Sequence, residues 1–265
     1  MRIPGDLRFL GVLARHEWSV QRRDYVPQLV LTVMPLVLMA FLMPMYRGAM
    51  ATSGVPTAPG GDAGAEQAVP GLSVMFSMFL ISHVGMAFFR DHGWNTWSRF
   101  RAAPVPVPLL VFGKTLVPLG VLVVQMTVLL LAGWSLYSLR IRGSLVALAL
   151  VVLAFAVCLV ACGVLGFAAC RTVVQMTSVA NVAALAMAGL GGALVPRELL
   201  PGWAEPLAPF TPSYWAVHGM REVISGGAGI GGVAGDIGVL LLFTAALAVL
   251  AAFLLKPDHR KVSWA

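Results

Sequence analysis

Six stretches of about 20 mostly apolar residues recur along this chain of 265 residues: 26–46, 70–89, 115–139, 145–169, 174–195 and 237–255. Each is long enough to cross a hydrocarbon core of roughly 30 Å as an α-helix. In lipid the backbone N–H and C=O groups must bond within the segment, which a helix does and an open strand does not. The predicted fold class is an all-α integral membrane protein with six transmembrane helices in a single transmembrane domain over 1–265. Composition agrees: 59% of residues are hydrophobic and 11% charged, against about 25% charged in soluble domains. Soluble enzymes, secreted disulfide scaffolds and disordered regulators are thereby excluded. Arg22, Arg23 and Asp24 precede the first run and Pro35 interrupts it, so it reads as a lasting span and not a cleaved signal.

The net charge of +7 raises nucleic acid as a partner, but the basic residues are scattered between apolar runs and form no aromatic-interleaved patch. Membrane orientation accounts for them instead. Thirteen of the 18 Lys and Arg residues fall on the side of the N-terminus, which predicts that both termini are cytoplasmic. Arg140 and Arg142 stand on the other, outer side. Cys158, Cys162 and Cys170 lie in or beside one apolar run with no His or acidic neighbour, so they read as small hydrophobes and no metal site is expected.

The segments between the runs carry the more specific features. Over 1–25, Ile3, Leu7, Leu10, Ala14 and Trp18 share a helical stripe beside Arg8, Arg15 and Arg22, which predicts an amphipathic helix in the cytoplasmic interface. Residues 48–69 read as an outer loop. The inner connection, 90–114, contains a short helix with Trp97, Phe100 and Arg101 at i, i+3, i+4 spacing, ended by Pro104. Exposed aromatics and arginines on that side predict a docking surface for a soluble partner, with Asp91, Trp97, Arg99, Phe100, Arg101 and Pro104 as its contacts. Gly113-Lys114-Thr115 lacks the upstream glycine and strand of a phosphate-binding loop and reads as a span boundary. The segment 196–221 is too apolar for a solvated loop and too rich in Pro and Gly for one span. Short helices re-entering the outer half of the membrane satisfy both facts.

Three features together resemble the membrane subunit of a type 2 ABC exporter, a drug- and antibiotic-exporter-like permease: Gly191-Gly192 with Pro196, then Leu200-Pro201-x-Trp203, then Pro212-x-Tyr214 and Arg221. Phe100-Arg101-Ala102-Ala103-Pro104 is similar to the end of that family's inner helix. Asn95 stands where the family usually has Gly, and Asp91 alone remains of its acidic cluster. The resemblance covers nearly the whole chain. It implies a homodimer or heterodimer of permeases in a bacterial cell membrane, each bound to a separate ABC ATPase subunit that holds ATP and Mg. The chain would bind no cofactor and catalyse nothing itself.

Trp, Phe and Met dominate the spans, so the expected cargo is a small hydrophobic drug, antibiotic or secondary metabolite, ahead of a lipid-linked or polysaccharide one. The polar span residues His83, Gln125 and Asn181 are expected along the cargo path, because lipid would leave them unsatisfied. Pro196, Trp203, Pro212, Tyr214 and Arg221 are expected to form an outer gate. An intramembrane enzyme lacks a nucleophile–base pair. A secondary transporter is disfavoured by the lack of a membrane-buried carboxylate.

Overall fold

A computed structural model describes residues 3–52, 62–93 and 106–255. The described residues form nine α-helices: α1 (Ile3–Arg23), α2 (Val26–Thr52), α3 (Ala63–Met78), α4 (Leu80–Gly93), α5 (Val107–Leu136), α6 (Leu145–Ala169), α7 (Val173–Leu190), α8 (Pro212–Ile224) and α9 (Ile230–Leu254). Two 3-10 turns, Arg197–Leu199 and Glu205–Phe210, join α7 to α8. Among the described residues, six helical stretches are long and apolar enough to cross a membrane: Val26–Ala51, Ala63–Asp91, Pro108–Leu136, Leu145–Ala169, Val173–Leu190 and Ile230–Leu254.

Helix starts follow local chemistry. The side chains of Asp62, Ser144 and Thr172 accept bonds from backbone N–H groups in the first turns of α3, α6 and α7, satisfying donors that the helix itself leaves orphaned. Proline sits at the start of α8, where its missing N–H costs nothing. Three boundaries differ from the sequence expectation. The segment 48–69 is not a loop throughout, because α2 continues to Thr52 and the Asp62 cap starts α3 at Ala63. The third span begins near residue 107 and not 115, because Lys114 is neutralised inside the fold. The sixth begins at Ile230 and not 237. Glu66 and Asp236 are consequently buried inside the fold, at 6% and 3% exposure, on helices long and apolar enough to span, so the candidate spans do contain carboxylates, against the sequence expectation.

The stretch α3–α4 and helix α6 form the centre, while α2, α7 and α9 present broad apolar faces outward. Lipid tails are as apolar as these side chains, so helices associate through close packing and hydrogen bonds more than through hydrophobic burial. Four side chains bridge helices by bonding to backbone carbonyls: Tyr46 to Leu194 (2.7 Å), Gln67 to Gly192 (3.0 Å), Tyr137 to Leu36 (2.9 Å) and Gln125 to Leu31 (3.1 Å). Two of them hold the turn after α7. There Gly192 has φ +78°, a backbone conformation that glycine adopts without strain.

Gly71 of α3 lies so close to this turn that an added Cβ would sit 2.1 Å from the Ala193 carbonyl oxygen, whereas one at Gly120 would meet nothing within 4 Å. Gly71→Ala is expected to destabilise the protein by about 1–3 kcal/mol. Gly120→Ala is expected to be neutral or stabilising, since it removes a helix-interior glycine worth up to about 1 kcal/mol. Thermal unfolding of the two variants in detergent checks the contrast.

Candidate functional site

Four charged side chains meet where α1, α4 and the first turns of α5 converge. In α1, Leu10, Leu13 and Glu17 follow i, i+3, i+7 spacing, so Glu17 lies on the apolar stripe and is carried inward with it. Leu10 and Leu13 close over Gly113, and Leu13 packs with Leu110. Glu17 then receives Lys114 Nζ at 2.7 Å on one carboxylate oxygen and Arg90 Nη2 at 2.5 Å on the other. Lys114 also pairs with Asp91 and donates to the Ala87 carbonyl at 3.3 Å. Its ammonium lies 5.6 Å from the Phe88 ring centroid.

The Lys114 side chain is fully buried and those of Glu17 and Asp91 are 4% exposed, while that of Arg90 is 23% exposed. Among the described residues, two acids and two bases balance in formal charge. That balance is what makes burial tolerable, because an ion removed from water without a partner costs several kcal/mol.

A polar chain joins α4, α1 and α2: His83 Nε2 meets Gln21 Oε1 at 2.8 Å, and Gln21 Nε2 donates to Gln28 Oε1 at 2.6 Å. His83 is thus bonded to α1, while Gln125 donates to the Leu31 carbonyl of α2 at 3.1 Å. Asn181 is not brought to them; it is on the exposed face of α7 with Val182 and Leu185. Asp91 is turned inward to Lys114. The other expected docking residues, Trp97, Arg99, Phe100, Arg101 and Pro104, lie outside the described residues.

At the opposite end of the bundle, the segment after α7 builds a second polar constellation. Ser213 Oγ donates to the Met187 carbonyl at 2.6 Å and Trp215 Nε1 to the Pro209 carbonyl at 2.8 Å, tying α8 to α7 and to the second 3-10 turn. Arg197 donates to Tyr214 Oη at 2.9 Å and to Glu205 at 3.3 Å. His218 Nδ1 meets buried Asp236 at 2.8 Å. Tyr214, His218, Arg197, Arg221 and Glu222 line a cavity of about 220 Å³. Of the expected gate residues, Pro196 and Pro212 are buried and Tyr214 and Arg221 line this cavity, while Trp203 projects outward at 68% exposure.

Asp62, also at this end, bonds Arg47 through Nε at 2.7 Å. Burial pushes its carboxyl pKa up, but the Arg47 bond and charge and the helix N–H groups outweigh this and hold it below the usual carboxylate value. The cap and ion pair are therefore fully present above the ordinary carboxylate pKa and are lost only as pH falls through the lower, folded one.

A polytopic bundle with a charged knot at one end and a proline-broken polar segment at the other is a membrane permease in outline. The family model for the ABC-2 type transporter matches residues 8–225, and the chain belongs to that family. A membrane setting comes with this membership and agrees with the six helices long and apolar enough to cross a bilayer. The chain is also 27% identical over 175 residues to the "Linearmycin resistance permease protein LnrN" of Bacillus subtilis (strain 168), an alignment covering 66% of this chain and 45% of that protein. The chain thus spans a little under half the length of that relative.

Glu17, Arg90 and Lys114 were the members of the knot that sequence reasoning missed. The stripe register of α1 carried a signal for Glu17. Lys114 was hidden because a cation in an apolar run reads as the end of a span until its counter-charges are known.

Removing the ammonium should leave the buried carboxylates of Glu17 and Asp91 short of one counter-charge. Lys114→Met is expected to cost about 3–5 kcal/mol. Lys114→Met combined with Glu17→Gln is expected to recover part of that loss. Thermal melts of the single and double variants, with Glu17→Gln alone to close the cycle, measure the coupling.

Proposed function

We propose that this chain is the membrane-spanning permease of an ATP-driven exporter, working as a dimer with a separate ATPase subunit and moving a small hydrophobic drug, antibiotic or secondary metabolite outward. The observation that carries this reading is the Glu17–Lys114–Asp91–Arg90 knot. It clamps both helices that flank the connection 94–105 to α1, so a push on that connection is transmitted to α4 and α5 as a unit rather than absorbed by bending. Family membership supplies the ATPase, and the resistance named for the relative supports the cargo class.

In this reading the termini and the knot are cytoplasmic in a bacterial inner membrane, as the distribution of Lys and Arg favours. Trp97 and Phe100 anchor in a groove of the ATPase, with Arg99 and Arg101 at its rim. Asp91 acts through Lys114 as a positioning residue and makes no contact with the ATPase. His83, Gln125 and Asn181 serve the cargo path, and the cavity around Tyr214 and Arg221, with Pro196, Pro212 and Trp203, forms the outer gate. ATP and Mg are held by the partner.

Co-expression with a candidate ATPase and transport into inverted vesicles tests the reading. Uptake should require ATP, stop with vanadate and persist when the proton gradient is collapsed. Uptake that follows the gradient and ignores ATP would instead make the chain a secondary transporter, a role for which Glu66 and Asp236 provide buried carboxylates.

Two variant sets probe the ends. Phe100→Ala should lower ATPase co-purification by about tenfold, as loss of an interface anchor of roughly 1–2 kcal/mol requires, and Arg101→Glu should lower it by setting a like charge against the rim's complementary one. Tyr214→Ala should reduce transport while leaving ATPase binding and the melting temperature near the parent values.

A further inference from the structure

At the end of the bundle opposite the charged knot, a His–Asp pair crosses from α8 to α9: His218 Nδ1 meets Asp236 Oδ1 at 2.8 Å. The carboxylate is enclosed, with 4% of its side chain exposed, whereas 41% of the His218 side chain is exposed and the ring lines the cavity of about 220 Å³. Protons from that side therefore reach the ring, while the charge it answers is sealed beneath it. The Tyr214 ring lies against the imidazole, with 5.8 Å between centroids and planes 21° apart. The Arg197 guanidinium carbon is 5.5 Å from the centroid of the same tyrosine.

The other charged groups near the pair come from known places. Arg221 and Glu222 of α8 line the same cavity. The 3-10 turns carry Arg197, Glu198 and Glu205, of which Arg197 is engaged with Tyr214 and Glu205. Arg142, ahead of α6, bonds the end of α8 through its backbone N–H, 3.2 Å from the Ile224 carbonyl. Glu66 is the ionisable residue of α3, and α6 and α7 carry no Asp, Glu, Lys, Arg or His. Among the described residues, the side chain that bonds Asp236 is His218, and Glu222 acts on it as a like charge.

A buried carboxylate beside a like charge calls for a cation, and the group in contact is an imidazole, the side chain that changes charge between about pH 5 and 8. Protonated, the ring makes a charge-assisted bond to Asp236 and sets a cation against the face of Tyr214, within the roughly 6 Å over which such a contact acts. Deprotonated, it leaves Asp236 a neutral donor and an uncompensated charge. We propose that His218 and Asp236 form a proton-operated latch: acid on this side of the membrane ties α8 to the last span, and loss of the ring proton as pH rises releases it. Ser213 and Trp215 hold the start of α8 through bonds that do not titrate, so release falls on its later turns, 216–224. The consequence for export, a gate held shut in an acidic exterior, rests on the outer-gate reading; the titration of the pair does not.

Hydrogen exchange of the full-length chain in phosphatidylcholine nanodiscs, read by mass spectrometry at about pH 5.5 and about pH 8 and corrected for intrinsic rates, follows the latch without any transport. The amides of 216–224 should be protected about tenfold more strongly at the lower pH, as a charge-assisted bond gained implies. His218→Gln keeps an N–H donor but takes up no proton, and Asp236→Asn keeps the shape but removes the charge. In both variants protection of 216–224 should be the same at the two pH values.

Equal protection at the two pH values in the parent chain overturns the proposal. So does a pH effect of undiminished size in both variants, because another group then carries it. Should one variant fail to fold, the other decides: a pH effect retained there also overturns the latch. A flat profile in the parent leaves ATP-driven uptake untouched, whereas uptake driven by the proton gradient would strike the exporter reading and leave the pH effect standing, so the two failures are distinguishable.

Discussion

A buried ammonium shared by two carboxylates, Lys114 between Glu17 and Asp91, is the interaction on which the lower half of this bundle depends. It ties a helix before the first span to the end of the second and the beginning of the third. Arg90 adds the charge that brings the group to neutrality. In a low-dielectric setting such a group has few alternatives: separation of any member leaves an uncompensated charge, so the three helix ends move together or not at all. The ends of α4 and α5 that face each other across residues 94–105 are thus anchored to one common group.

The upper half is held differently. Tyr46 and Gln67 reach carbonyls of the turn after α7, and Ser213 reaches back into the last turn of α7. These neutral bonds satisfy backbone groups that prolines and glycines have freed from regular helix, a condition for irregular backbone at membrane depth. The exposed Arg197–Glu205 pair adds little by comparison, since surface pairs are worth about 0–1 kcal/mol. The turn after α7 is thus held mainly by single neutral hydrogen bonds, whereas the opposite end is held by a buried charged cluster.

Much of the architecture was legible in the chain, because a bilayer imposes a length and a polarity that few sequences meet by accident. The apolar runs identify six spans, and Pro212 and the Gly191-Gly192 pair mark the broken segment before the last. Errors gathered at the ends of spans. Glu66, Lys114 and Asp236 are charged, so each appears to lie outside its helix when hydropathy alone is read; capping by Asp62 and pairing with Glu17, Asp91 and His218 carry the helices past them. The candidate site was legible only in part for the same reason. His83 and Gln125 stand out as polar residues in apolar runs, but their neighbours Gln21 and Gln28 lie at the edges of spans, where polarity is unremarkable.

What the sequence by itself determined is the class of the protein: an all-helical, multi-pass membrane chain, whose runs of Leu, Val and Ala leave no other way to satisfy the backbone. What only the tertiary structure decided is which charges are buried together. Glu17 lies 97 residues from Lys114 and 73 from Arg90 in the chain. Their partnership follows from the packing of α1 under α5, where Leu10 and Leu13 close over Gly113. Hydropathy is a property of each residue and can be read locally. The free energy of a buried charge is a property of its partners, and those exist only once the chain has folded.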